Sequence, residues 1–134
     1  MAKYKKKLDA DIRGPLEYGL TIFGGKSGEY PQKLYKALMN SQTVLTVWDD
    51  ARLVGLIRVL DDSEMLAQIH YVLVHPEYQG QGIAGRMVEY IKEKYKNFMY
   101  LEIMAEDKNN VPFYEKHGFH VMENGAAMQI CNIN

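Results

Sequence analysis

One cysteine in 134 residues, Cys131, rules out an internal disulfide framework and fits a reducing cytoplasm. Lying near the end of an expected strand, it reads as a small buried apolar residue rather than a nucleophile. Neither sign of charge dominates: 16 Lys and Arg face 17 Asp and Glu, for a formal net charge of −1. That balance gives no electrostatic basis for binding nucleic acid or a membrane surface. The only basic cluster, Lys3, Lys5, Lys6 and Lys7, runs into Leu8-Asp9-Ala10-Asp11, so no apolar stretch completes a signal peptide. No hydrophobic run approaches the length needed to span a bilayer. His75, His117 and His120 fall at turns without matching acidic ligands, so no metal site is expected. Repeats, low-complexity tracts and linkers are absent too. What remains is 47% hydrophobic and 25% charged, an ordinary composition for one globular domain over residues 1–134.

The pattern along the chain predicts that domain's layout. Residues 4–8 read as a first strand, and 15–23 as a short helix that Gly19 weakens. Residues 24–28 form a glycine-rich loop. Residues 31–39 read as a helix with Pro31 in its first turn and Leu34, Tyr35 and Leu38 on one face. The β-rich runs 43–48 and 53–59 are joined by Asp49-Asp50-Ala51-Arg52, which predicts an antiparallel hairpin. A turn at 61–63 leads to a strand over 68–74. A helical pattern follows, with Ile83, Ala84, Met87, Val88, Ile91 and Tyr95 at apolar spacing. Then come a strand over 99–104, a short helix over 112–116 stopped by Gly118, and final strands over 119–122 and 127–133. A meander followed by β-α-β-α-β predicts an α/β (α+β) fold: a mixed, mostly antiparallel sheet with helices on both faces.

The most informative segment is Gln79-Gly80-Gln81-Gly82-Ile83-Ala84, between an apolar strand and the start of a helix. Two glycines there let the backbone approach a ligand and aim free N–H groups at it. The helix dipole adds positive potential, so the segment reads as an anion or phosphate cradle. A P-loop needs Lys-Ser or Lys-Thr after its last glycine, and Gly82 is followed by Ile83-Ala84. Gly80, Gly82 and Gly85 match the dinucleotide spacing, with Glu102 as a candidate ribose partner. That fingerprint, however, follows its strand directly, whereas His75-Pro76-Glu77-Tyr78-Gln79 intervenes here.

The segment from Val74 to Ala84 resembles the acyl-CoA-binding motif of the GNAT superfamily of N-acetyltransferases, Gln/Arg-x-x-Gly-x-Gly/Ala after a strand ending Val-x-Pro. Phe113-Tyr114-Glu115-Lys116-His117-Gly118-Phe119 resembles a second family signature, at the expected place after one intervening strand. The resemblance covers about the last two-thirds of the chain. It implies acetyl-CoA as acyl donor, held through its pyrophosphate by Gln79, Gly80, Gln81, Gly82, Ile83, Ala84 and Gly85. It also implies main-chain contacts from Val72, Leu73 and Val74, and a splay between their strand and the next.

Acyl transfer from a thioester to an amine further needs a proton for the departing thiolate and a base for the amine. Tyr114 is the candidate acid, since a phenol with a reference pKa of about 10 can protonate a thiolate whose thiol is near 8.5; packing against Phe113 and Phe119 is its structural reading. His70, on the central strand, is the candidate base acting through water. Tyr71 stands near where many relatives carry a carboxylate, so a carboxylate base is not indicated. No Ser-His-Asp or Cys-His spacing supports an acyl-enzyme, so transfer is direct. The acceptor, a small-molecule or protein amine, is expected near residues 24–39. A homodimer is a family expectation. The rival reading is a non-catalytic acyl-CoA sensor of the same fold, against which Tyr114 weighs, because a sensor needs no acid at the sulfur.

Overall fold

Asp50, with φ of 50°, and Ala51 turn the chain between two apolar runs and close the central hairpin. The computed structural model of the chain describes residues 3–5, 16, 18–20 and 25–133. Its sheet contains β1 (Lys3–Lys5), β2 (Thr43–Asp49), β3 (Arg52–Asp61), β4 (Leu66–Val74) and β5 (Tyr100–Ile103), side by side in that order. Every neighbouring pair is antiparallel except β4 and β5, which run parallel. The α-helices described from end to end are α1 (Pro31–Met39), α2 (Ile83–Lys94) and α3 (Val111–Lys116). The mixed, mostly antiparallel sheet is thus present. The chain divides into two compact units, Met1–Ile103 and Met104–Asn134.

In the first unit, α1 buries Leu34, Tyr35 and Leu38 with Leu16, Leu20, Val44, Trp48, Leu53 and Leu56, and Tyr71 and Leu73 pack against this cluster. Sheet alternation puts Leu45, Val47, Ile57, Val59 and Ile69 on the opposite face. There α2 packs against β3 and β4, burying Ile83, Met87, Val88 and Ile91. Gly55 lets α2 approach closely: a Cβ there would lie 3.0 Å from Ile83 Cγ2 and 3.2 Å from Val47 Cβ. Gly19 has a parallel reason. A Cβ there would meet Leu53 Cβ at 2.8 Å, so close packing decides a position that helix propensity disfavours.

The expected strand over 4–8 is seen at 3–5, with 6–8 outside the described residues. Of the helix expected over 15–23, residues 16 and 18–20 are helical, and 15, 17 and 21–23 lie outside the description. Residues Gly25–Glu29 wind into a 3₁₀ turn rather than an open loop. The final strands do not form: residues 119–122 and 127–133 carry no strand, and the second unit's one α-helix is α3. Val121, Met122, Met128 and Ile130 are exposed, the last two at 93% and 89%. An alternating apolar run is competent for pairing but becomes a strand only against a partner edge. Cys131, expected to be buried, is exposed for the same reason.

Candidate functional site

The turn before the glycines is tied firmly to the β2–β3 hairpin. His75 N–H donates to Val54 O at 2.8 Å, and Glu77 N–H donates to His75 Nδ1 at 3.1 Å, capping the 3₁₀ turn Pro76–Tyr78. Tyr78 donates its phenol proton to the Asp49 carboxylate, and that bond holds the phenol above its usual pKa. Arg52 Nη1 lies 3.2 Å from Glu77 Oε2. Gln79 Nε2 reaches back to Val74 O at 3.3 Å.

Beyond this anchored turn, Gly80 and Gly82 take φ of 81° and 83°. L-residues other than Gly, Asn and Asp rarely hold that left-handed region. A Cβ on either would meet nothing within 4 Å, so the glycines line open space. Gly82 caps α2 without a side-chain hydrogen bond, and its carbonyl accepts the first helical bond from Arg86 N–H at 3.1 Å. The N–H groups of Ile83, Ala84 and Gly85 therefore lack intrahelical acceptors. No acidic residue sits in that first turn to repel an anion. Gly80, Gln81 and Gly82 are exposed, while Ile83 is buried and anchors the helix start to the sheet. Oriented donors, positive helix potential and empty space fit a pyrophosphate.

Next to it the sheet opens. β4 and β5 pair from Leu66↔Tyr100 to Ile69↔Ile103 and no further, so beyond Ile69 the one strand paired with β4 among the described residues is β3. Because His75 N–H bonds Val54, the two-residue alternation of an antiparallel ladder turns the main-chain groups of Leu73 toward β3. Those of Val72 and Val74 face the opening. All three residues were expected to offer main chain to a ligand; the ladder turns that of Leu73 toward β3 instead.

A bulge shapes the other side of β4. Arg58 pairs with Tyr71 and Val59 with Ile69, leaving His70 as the extra residue. The His70 and Tyr71 rings lie 4.2 Å apart. Arg58 Nη1 donates to His70 Nδ1 at 2.8 Å, and Arg58 Nε donates to Ser41 Oγ at 2.8 Å. Since a guanidinium can only donate, Nδ1 is an acceptor here and the neutral ring carries its proton on Nε2. Tyr71 OH donates to Ser27 Oγ at 2.6 Å, joining the strand to the 3₁₀ turn where acceptor contacts were expected. Arg58, Ser41 and Ser27 were missed in the sequence. The available signal was a single charge interrupting the apolar run Leu53-Val54-Gly55-Leu56-Ile57-Arg58-Val59.

In the second unit Tyr114 sits half-buried on α3, with Phe113 at 5.0 Å and Phe119 at 5.8 Å between ring centroids, both edge-on. Its carbonyl accepts from His117 and Phe119 N–H at 3.0 Å each, fixing the helix end. Burial pushes the phenol's pKa up, so Tyr114 keeps its proton at neutral pH. Its hydroxyl has no hydrogen-bond partner among the described residues. Among those residues there is also no group of three or more His, Cys, Asp or Glu able to hold a metal, and no helix is long and apolar enough to cross a membrane.

Known proteins resemble this chain in sequence and in fold. The model of an acetyltransferase (GNAT) domain matches residues 20–130. An uncharacterized N-acetyltransferase from the lysA 3′ region of Bacillus methanolicus is 26% identical over 117 residues, covering 87% of this chain and 92% of that protein. An uncharacterized ycf52-like N-acetyltransferase of Prochlorococcus marinus is 28% identical over 99 residues, 70% of this chain; the match spans 55% of that protein, about half its length. A crystal structure from meticillin-resistant Staphylococcus aureus, of a protein of unknown function named a probable acetyltransferase, has a TM-score of 0.79. It is 27% identical, over 98% of this chain and 99% of that one. With well over half of its length matched by the domain, the chain belongs to the GNAT acetyltransferase family.

Proposed function

We propose that this protein transfers an acetyl group from acetyl-CoA to a primary amine by direct attack, without an acyl-enzyme. The observation that carries the reading is the uncapped start of α2, where two left-handed glycines line open space beside an opened strand. Bound there, acetyl-CoA would supply an electrophilic thioester carbonyl. In this reading the N–H groups at the start of α2 hold the pyrophosphate. The main chain of Val72 and Val74 aligns the pantetheine arm, with an N–H available to polarise the carbonyl. Tyr114, kept protonated by burial, donates the proton at the sulfur. His70 is the base, acting through water with Nδ1, its unprotonated ring nitrogen, once Arg58 no longer donates to it. A reducing cytoplasmic setting belongs to the same reading, as does a homodimer, which the exposed apolar residues of segment 121–133 support.

The test combines a melting curve with acetyl-CoA and an amine panel assayed for free CoA. Stabilisation by acetyl-CoA and CoA release dependent on an amine are expected. Stabilisation with no turnover on any amine would favour the sensor, and absence of both would end the reading.

A further inference from the structure

We propose that Arg58 is an oxyanion subsite, so that the acceptor is an amine that also carries a carboxylate or phosphate. The inference rests on the acetyl-transfer reading and adds the chemical class of its acceptor.

Arginines removed from water on a strand are ordinarily matched by a carboxylate, because an unmatched charge is costly to desolvate. Arg58 is half-buried, yet the groups on its guanidinium are a serine hydroxyl, an imidazole nitrogen and the ring of Tyr71, 5.9 Å from centroid to Cζ. None carries a negative charge in its ordinary state. Among the described residues no carboxylate reaches it: Glu29 is paired with Lys26, and Asp61 accepts from Tyr95. Desolvation accordingly pulls the guanidinium's pKa down. Nε and one Nη1 hydrogen are used, and the Nη2 pair has no partner among the described residues. The parallel N–H bonds at the end of the planar fork, one on Nη1 and one on Nη2, match a carboxylate or phosphate bidentately.

Its position gives that anion a purpose. Arg58 touches His70, the candidate base, and shares Tyr71 with Ser27, in the segment expected to meet the acceptor. An anion drawn across Nη1 and Nη2 would hold the acceptor's far end while competing for the Nη1 donor that now occupies His70 Nδ1. Anchoring the acceptor and releasing the base nitrogen would then be one event.

The test uses the full chain with acetyl-CoA and two matched amine pairs: 5-aminopentanoate against 5-aminopentanamide, and O-phosphoethanolamine against ethanolamine. The Arg58 Nε–H cross-peak, assigned by its loss in Arg58→Lys, is followed by ¹⁵N–¹H correlation. It should move with an anionic member and stay still with its neutral partner, and whichever pair responds assigns carboxylate or phosphate. In turnover, the anionic-to-neutral ratio of kcat/KM should fall at least about tenfold in Arg58→Gln, the scale of a charge-assisted hydrogen-bond pair. Arg58→Lys should recover part of that ratio, and melting curves check that both variants fold. A peak unmoved by either anion, or an unchanged ratio in folded Arg58→Gln, overturns the subsite. Failure of acetyl-CoA to bind while the peak still responds would instead overturn the transfer reading and leave the subsite standing.

Discussion

Replacing Gly82 by Val separates what the cradle contributes to the fold from what it contributes to binding. Gly82 holds φ of 83°, where an L-residue carries roughly 1–2 kcal/mol of strain. A Cβ there meets nothing within 4 Å, so no clash adds to that figure. For a chain of this size about 1 kcal/mol moves the midpoint by roughly 3–5 °C, so the ligand-free variant should melt about 3–10 °C lower. Acetyl-CoA at a hundred times its Kd should raise wild-type stability by about 2.7 kcal/mol, or roughly 8–13 °C. In Gly82→Val that rise should vanish, because the side chain fills the space where the phosphate must approach. Gly82→Ala should show a similar ligand-free loss but retain part of the rise. Differential scanning fluorimetry with acetyl-CoA, and with NAD as control, reads all of this. A full acetyl-CoA response in Gly82→Val, or a wild-type response to NAD alone, would refute the assignment.

Other residues give further measurements. Tyr114→Phe should leave acetyl-CoA stabilisation intact and lower turnover, by ~10²-fold if the phenol is the general acid; unchanged turnover with chemistry rate-limiting counts against that role. His70→Gln should slow transfer most below the amine's pKa, with the defect shrinking as pH rises and more amine is already neutral. A defect independent of pH, together with a lower melting temperature, would make His70 a packing residue instead. Tyr95 donates to Asp61 Oδ2 at 2.5 Å and lies 2.7 Å from Thr43 Oγ1, so Tyr95→Phe should cost about 1–3 kcal/mol in urea unfolding. Burial, then the Asp61 bond, raises this phenol's pKa to about 12. With the folded value above the unfolded value of about 10, its contribution is complete below pH 10 and lost as pH rises through 12. The stability gap between wild type and Tyr95→Phe should narrow over that window, and a constant gap would contradict the assignment.

Features with a local cause were legible in the sequence. The hairpin shows in two β-rich runs around Asp50-Ala51, α1 in Pro31 and its apolar face, and the cradle in Gly80 and Gly82, whose backbone no other residue holds easily. Features set by a distant partner were not. The bulge at His70 follows from β4's register against β3, which no property of residues 66–74 announces. Arg58 shows in sequence only as a charge interrupting an apolar run; that its neighbours among the described residues, Ser41, His70 and Tyr71, leave that charge uncompensated emerges only when they are brought around it. The strands expected over 119–122 and 127–133 failed for the same reason, since alternation specifies a face to bury but supplies no edge to pair with.

The cradle also explains why its anchors lie outside the motif. Two glycines in a row of six residues leave the unfolded chain unusually free, and fixing each costs roughly 0.5–1 kcal/mol more than fixing alanine. A cradle must nonetheless be stiff, because donors that reorganise on binding lose the advantage of being aimed. The stiffness comes from either side. Upstream, Tyr78 to Asp49, Arg52 to Glu77 and His75 N–H to Val54 O clamp the chain to the hairpin. Downstream, Ile83 is buried on the sheet over Gly55. The glycines are left free to shape the cradle because their neighbours hold the chain on both sides. Asp49, Arg52 and Gly55 support the proposed cradle from outside it, through the hairpin that its two flanks are fastened to.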